Sequence, residues 1–70
     1  MTRKSVSSSN IASIGHDPQT NTLEVAFLNG SVYQYSNVPT NVYAGLMNAS
    51  SHGTYLNANI KGTYSYRQIS

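Results

Sequence analysis

From residue 22 to residue 36 the chain alternates between apolar and polar positions. Leu23, Val25 and Phe27 recur at every second place, and beyond Asn29-Gly30 the residues Val32, Tyr33 and Tyr35 resume an extended pattern. A period of two marks a strand with one buried face, and Asn-Gly between two such runs is a strong hairpin signal. Two loop geometries are open. A two-residue loop sets Phe27 opposite Val32 and Ala26 opposite Tyr33, which leaves Tyr33 and Tyr35 as an exposed platform on the face away from Leu23, Val25 and Phe27. A three-residue loop of Leu28, Asn29 and Gly30, closed by Gly30 as a left-handed bulge, sets Val25 opposite Tyr33 and Leu23 opposite Tyr35. The bulge is favoured, because it gathers all five apolar and aromatic residues on one side and a one-residue slip scatters them.

Upstream, Ile11 to Gly15 reads as a short strand running into His16-Asp17-Pro18 and a polar turn through Asn21. Downstream, Pro39 suits the first turn of a helix whose Val42, Tyr43, Leu46 and Met47 fall on one face. After a break at Asn48-Ala49-Ser50, Ser51 is placed to cap a second helix with Leu56 and Ile60 inward and Gly62 at its end. Tyr64 and Tyr66 then alternate along a closing strand to Ile69. The predicted fold is α+β: a small antiparallel sheet, made of the Asn29-Gly30 hairpin and N- and C-terminal strands, with two short helices packed on one face. Residues 1–9, rich in serine, read as a flexible lead, and residues 10–70 as a single domain.

The ordered series Leu23-x-Val25-x-Phe27-x-Asn29-Gly30-x-x-Tyr33-x-Tyr35, Val38-Pro39-x-x-Val42-Tyr43 and Ser51-x-Gly53-x-Tyr55-Leu56-Asn57-x-x-Ile60-Lys61-x-x-Tyr64-x-Tyr66 resembles the KTSC domain. That family is named for its occurrence at the C-terminus of some lysyl-tRNA synthetases and is also found as stand-alone bacterial and phage proteins. The resemblance covers about residues 8 to 69. His16 stands where an aromatic is frequent and Leu56 where Phe is common. The resemblance implies the α+β fold and carries the suggestion of an RNA-binding role.

Composition narrows the function. Seventy residues bury only about 60% of the surface that the unfolded chain exposes. With no cysteine to staple a thin core, self-association into a homo-oligomer is the expected route to further burial. Six tyrosines against one Phe and no Trp combine apolar area with hydroxyl handles, as a recognition surface requires. Eleven Ser, eight Asn and six Thr outnumber two acids and four Lys/Arg, so the surface works through hydrogen bonds. The net charge is +2, and Arg3 and Lys4 lie in the lead, leaving only Lys61 and Arg67 in the body. That is too few for an extended duplex, whose binding rests on many phosphate contacts. No apolar run approaches the roughly 20 residues of a membrane span, so no membrane partner is expected and the location expected is the cytoplasm.

Catalytic groups are scarce, and the chain is expected not to be an enzyme. Beyond the cations it offers Asp17, Glu24, His16 and His52. Asp17 reads as a turn cap, Glu24 as an outward residue serving solubility, and the two histidines as solvent-facing. Neither a metal nor a cofactor is expected, since no ligand spacing or Gly-rich phosphate loop occurs.

One segment is chemically suggestive. If Ser51 caps the second helix, the N–H groups around His52, Gly53 and Thr54 lie at its positive end, and Gly53 lets an anion approach. Asn57 and Lys61 then follow at successive turns on one face, Arg67 adds a forked donor, and Tyr43 and Tyr55 offer stacking surfaces. The candidate ligand-binding set is therefore Tyr43, Ser51, Gly53, Tyr55, Asn57, Lys61 and Arg67. It fits a non-enzymatic binder of small nucleotides, cyclic or linear dinucleotides included, which sequesters its ligand in a pocket shared between protomers. Single-stranded or structured RNA is the alternative ligand, and a protein partner meeting exposed tyrosines the second alternative.

Overall fold

A computed structural model describes residues 1–70. The alternating segment forms strands β3 (Thr22–Phe27) and β4 (Val32–Tyr35), joined by the three-residue bulged loop. Phe27 N–H donates to Ser31 O at 2.8 Å, and Gly30 N–H donates to Phe27 O at 3.0 Å. Gly30 adopts φ +95°, a left-handed conformation that costs a residue without Cβ little. The Asn29 side chain accepts from Ser31 N–H at 3.0 Å, which locks the turn. Val25 consequently faces Tyr33 and Leu23 faces Tyr35, as the bulged register predicts. Tyr35 is buried at 1% exposure, whereas Tyr33 is half-buried.

Strand β2 (Ile11–Asp17) pairs with β3 and carries an irregularity between Ile11 and Ser13. Residues three apart on a regular strand point to opposite faces, and the extra residue is what lets Ile11 and Ile14 both enter the core, each at 0% exposure. Asp17 accepts from Gln19 N–H at 3.0 Å in the turn that follows. Helix α1 (Thr40–Asn48) and helix α2 (His52–Tyr55) follow, with Val42, Tyr43 and Met47 packed against the core and Leu46 fully inside it. Ser51 caps α2 by accepting from Thr54 N–H. Leu56–Ile60 then forms one π-helical turn, closed by Lys61 N–H donating to Leu56 O at 2.8 Å, with Leu56 and Ile60 buried. Strand β5 (Tyr66–Gln68) completes a five-stranded antiparallel sheet in the order of the chain, β1-β2-β3-β4-β5. Tyr64 precedes this strand instead of belonging to it. No helix is long and apolar enough to cross a membrane.

Strand β1 (Lys4–Ser5) corrects the expectation of a flexible lead. It pairs with Ile14 and Ser13 at the edge of the sheet, and Val6 N–H donates to Ala12 O at 3.1 Å. Its anchor is Glu24, which faces away from the helices as expected but is buried at 8% exposure instead of serving solubility. Arg3 Nη1 donates to Glu24 Oε2 at 2.6 Å and Gln34 Nε2 to Glu24 Oε1 at 2.9 Å. Arg67 Nη2 donates in turn to Gln34 Oε1 at 3.3 Å. Gly15, Glu24, Gln34 and Arg67 are register partners, so one polar row crosses the outer face of the sheet. Gly15 makes room for it: a Cβ there would stand 2.8 Å from Thr2 O and 3.0 Å from Arg3 Cγ.

Burial first, then the neighbouring Tyr33 and Tyr66, raise the Tyr35 phenol above its ordinary value of 10.0. The fold thus holds the neutral form, and the unfolded chain gives up that proton at lower pH. The Tyr35 contribution to stability is whole below pH 10.0 and is lost as pH rises from there through the raised folded value. Urea titrations at rising pH should show a decline that begins near this point and is shallower in Tyr35→Phe. An equally steep decline in the variant would assign it to other groups.

Candidate functional site

The hairpin loop, the end of the π-helical turn and β5 border one open hollow of about 780 Å³ on the helix side of the sheet. This lies in the range of small-molecule sites, roughly 300–1,000 Å³. Its wall includes Asn10, Phe27, Asn29, Tyr33, Lys61 and Tyr66. Phe27 and Tyr33 meet edge to face at 5.6 Å and 89°. Tyr66 continues the row, 5.6 Å from Tyr33 and 5.7 Å from Tyr35. Register explains the row, because Tyr33 stands opposite Val25 and Tyr66 opposite Tyr35, all on the same side of the sheet. Tyr66 remains 62% exposed, so a ring face is free for a flat ligand. The Lys61 ammonium stands 6.0 Å from the Phe27 ring centroid, a cation held at the aromatic rim. Asn10 comes to the hollow because its carbonyl accepts from Leu28 N–H at 2.9 Å, which carries β2 alongside the hairpin loop.

The seven residues singled out from the sequence do not converge. Lys61 alone among them lines the large hollow. The i→i+5 closure underwinds the chain after Leu56, and Lys61 is itself extended at ψ 132°, so it leaves the face of Gly53 and Asn57 and turns to the hairpin. Arg67 lies on the opposite side of the sheet, in the polar row with Gln34. Tyr43 stacks on His16 at 5.0 Å and 12°. Tyr55 lies against Gly45, where a Cβ would meet its ring and hydroxyl. Gly53 backs onto Asn10, whose Oδ1 lies 2.8 Å from where a Cβ would be. Asn57 is exposed by itself.

Ser51 borders a second, smaller hollow of about 340 Å³, walled by serines and His52. The Thr54 N–H that was expected to be free there donates to Ser51 Oγ at 3.3 Å. The histidines are likewise committed instead of facing solvent. Both are half-buried, and since a carbonyl only accepts, each ring nitrogen donates: His16 Nε2 to Val38 O at 2.7 Å and His52 Nδ1 to Leu46 O at 2.8 Å. Nowhere do three His, Asp or Glu side chains gather as a metal's ligands do.

Phe27, Asn10 and Asn29 went unrecognised as wall residues in the sequence reading. Tyr33 and Tyr66 carried a signal, the two Tyr-x-Tyr repeats, once the bulged register put both on one face.

A model of the KTSC domain matches residues 7–64. A lysine–tRNA ligase of Nostoc sp. is 44% identical over 55 residues, which are 79% of this chain and 10% of the ligase. A second, from Nostoc punctiforme, is 40% identical over 60 residues, 86% of the chain and 11% of that ligase. The chain thus spans about a tenth of the length of these relatives. An uncharacterized protein of Stutzerimonas stutzeri is 40% identical over 57 residues, 81% of this chain and 80% of that one. The crystal structure of a KTSC domain protein from Yersinia pestis superposes with a TM-score of 0.93 at 41% identity, covering 99% of this chain and 97% of the other.

Proposed function

The chain belongs to the KTSC domain family, and from that premise we propose that it is a non-enzymatic module that binds small nucleotides in the hollow between the β3–β4 loop and β5. The observation that carries the reading is the pairing of an aromatic row with one cation: Phe27, Tyr33 and Tyr66 beside Lys61. A base lies against the exposed face of Tyr66, and the Lys61 ammonium takes a phosphate. In its fuller form two copies bring their hollows together around a cyclic or linear dinucleotide and sequester it. Leu28 and Tyr66, 61% and 62% exposed beside the hollow, supply apolar area for such a contact.

A second reading, single-stranded RNA, draws on the relatives that are named lysine–tRNA ligases. It uses the same stacking surface, but Arg3 and Arg67 lie across the sheet from Lys61, and Arg3 is spent on Glu24. A phosphate track therefore has one cation where the bases would stack.

Calorimetric titration with mononucleotides, cyclic dinucleotides and a short RNA tests both, with native mass spectrometry reporting stoichiometry. Lys61→Ala should weaken nucleotide binding about tenfold or more, since hydrogen bonds to charged groups are worth roughly 1.5–3 kcal/mol. Tyr66→Ala should cost a similar factor by removing a stacking face. Arg67→Ala should leave affinity unchanged, and an equal loss there would show that the ligand sits elsewhere. Between 50 and 200 mM salt the affinity for a compact nucleotide should fall modestly, whereas steep dependence would favour RNA.

A further inference from the structure

We infer that the outer edge of β5 is a docking site for an extended segment of another protein, which adds to the sheet as a further strand and sets a carboxylate against Arg67. This goes beyond the nucleotide reading and does not depend on it, because it uses backbone groups at the sheet edge.

The ladder with β4 decides which groups of β5 are already engaged. Ser36 N–H donates to Ser65 O at 2.8 Å, and Ile69 N–H donates to Val32 O at 2.8 Å. Gln34 and Arg67 pair between them in the same register. Residues along an antiparallel strand turn their backbone groups alternately to one side and the other, so Ser65, Arg67 and Ile69 turn to β4. Tyr66 and Gln68 turn theirs away from it, where the sheet ends. Every residue of β5 is exposed, and the backbone N–H and C=O groups of Tyr66 and Gln68 bond to no turn or loop. Such a row is a template for one more strand. The opposite edge is a poorer one, since Val6 N–H is engaged by Ala12 O and Ser5 is the only residue of β1 that turns outward.

Register also sets the chemistry of the occupant. In an added antiparallel strand, Tyr66 and Gln68 each exchange two backbone bonds with the residue opposite. The residue between those two faces Arg67 in a non-hydrogen-bonded pair, where side chains stand closest. The Arg67 side chain is exposed and makes one hydrogen bond, to Gln34 at 3.3 Å, which leaves the rest of its fork unused. No acid of this chain serves it. Glu24 has both oxygens engaged, by Arg3 and Gln34, and Asp17 caps the β2–β3 turn. A glutamate or aspartate on the incoming strand supplies the missing carboxylate. A second copy of this chain does not fit. Two β5 strands exchange all their outward bonds only when Tyr66 meets Gln68 of the copy, and that register sets Arg67 directly against Arg67, a repulsive pair. Centring the pair on Tyr66 instead requires Tyr64, whose N–H already donates to Ile60 O. Centring it on Gln68 requires Ser70, whose N–H and C=O are both engaged with Val32.

The test is NMR titration and amide hydrogen exchange of the full chain with two end-blocked peptides, Thr-Val-Glu-Val-Thr and Thr-Val-Lys-Val-Thr. The glutamate peptide should shift and protect the Tyr66 and Gln68 amides. It should also bind about threefold or more tightly than the lysine peptide, since opposite charges across a strand pair attract and like charges repel. Methylating its valine nitrogens should abolish binding, because the donors to β5 are then gone. No protection of the two amides would overturn the site, and equal affinity of the two peptides would overturn the acidic occupant. Protection that rises with protein concentration alone would place a second copy at the edge and overturn the inference in that way. Arg67→Gln keeps a donor for Gln34 but loses the charge. With the melting profile retained, it should bring the two peptides to equal affinity, and an unchanged preference would remove Arg67 from the recognition.

Discussion

Leu46→Ala should lower the melting temperature by roughly 10 °C or more. Leu46 is the one fully buried residue of α1, at 0% exposure, and belongs to the same apolar cluster as Ile14, Val25 and Leu56. Removing a buried leucine costs about 2–5 kcal/mol, through lost transfer energy and the cavity left behind. A domain of this size has about 5–15 kcal/mol in all and shifts about 4–8 °C per kcal/mol. The variant therefore stands close to the edge of folding. Far-UV circular dichroism melts would measure it against Met47→Ala, which truncates a half-buried neighbour and should shift the midpoint much less. Equal shifts in the two variants would mean that α1 does not hold the sheet through Leu46.

Gly45→Ala should also destabilise, against the ordinary expectation for a helix. At an exposed helical position the change gains about 1 kcal/mol. Here the new methyl would meet the Tyr55 hydroxyl and stand 2.8 Å from Tyr55 Cζ, so α1 and α2 must part or the ring must swing out. Overpacking of this kind costs about 1–3 kcal/mol, which cancels that gain at its low end and outweighs it over the rest of the range. The ring is the cause, and its removal is the control. In a Tyr55→Ala background Gly45→Ala should become neutral or stabilising, a non-additivity that chemical denaturation of the four-member cycle measures. A stabilising effect of Gly45→Ala in the native background would sink the contact.

Leu46 also marks where the sequence was readable, and Gly45, whose contact with Tyr55 only the fold reveals, where it was not. The period-two run Leu23, Val25, Phe27 and the Asn29-Gly30 loop sufficed to choose the register that buries Tyr35, because only one register puts the large side chains on one face. The helical face of Val42, Tyr43, Leu46 and Met47 and the Ser51 cap followed from equally local rules. The N-terminal edge strand did not. Lys4 and Ser5 carry no apolar signal, and what anchors them is a carboxylate that Arg3 reaches across 21 residues of sequence. Glu24 was placed on the correct face, but its burial comes from the segment folded over it. Nothing in Leu56-Asn57-Ala58-Asn59-Ile60 announces an i→i+5 turn, and that turn moved Lys61 from the company of Gly53 and Asn57 to that of Phe27. The two Tyr-x-Tyr repeats pointed toward the hollow, yet their meeting depended on β5 lying beside β4. The third ring, Phe27, was counted as core and is half core, half wall.

The order of the strands carries a consequence for how the molecule comes together. Strands β2, β3 and β4 each meet their partner across a short turn, whereas β4 and β5 meet only after both helices have intervened, with Gln34 and Arg67 separated by 33 residues. Closing that loop costs the most chain entropy of any pairing in the sheet, so the β4–β5 seam leans more than the other pairings on the contacts made across it. Tyr33 and Tyr66 face each other across this seam. A molecule resting on both rings would act as a staple, so occupancy of the hollow and integrity of the sheet edge rise and fall together.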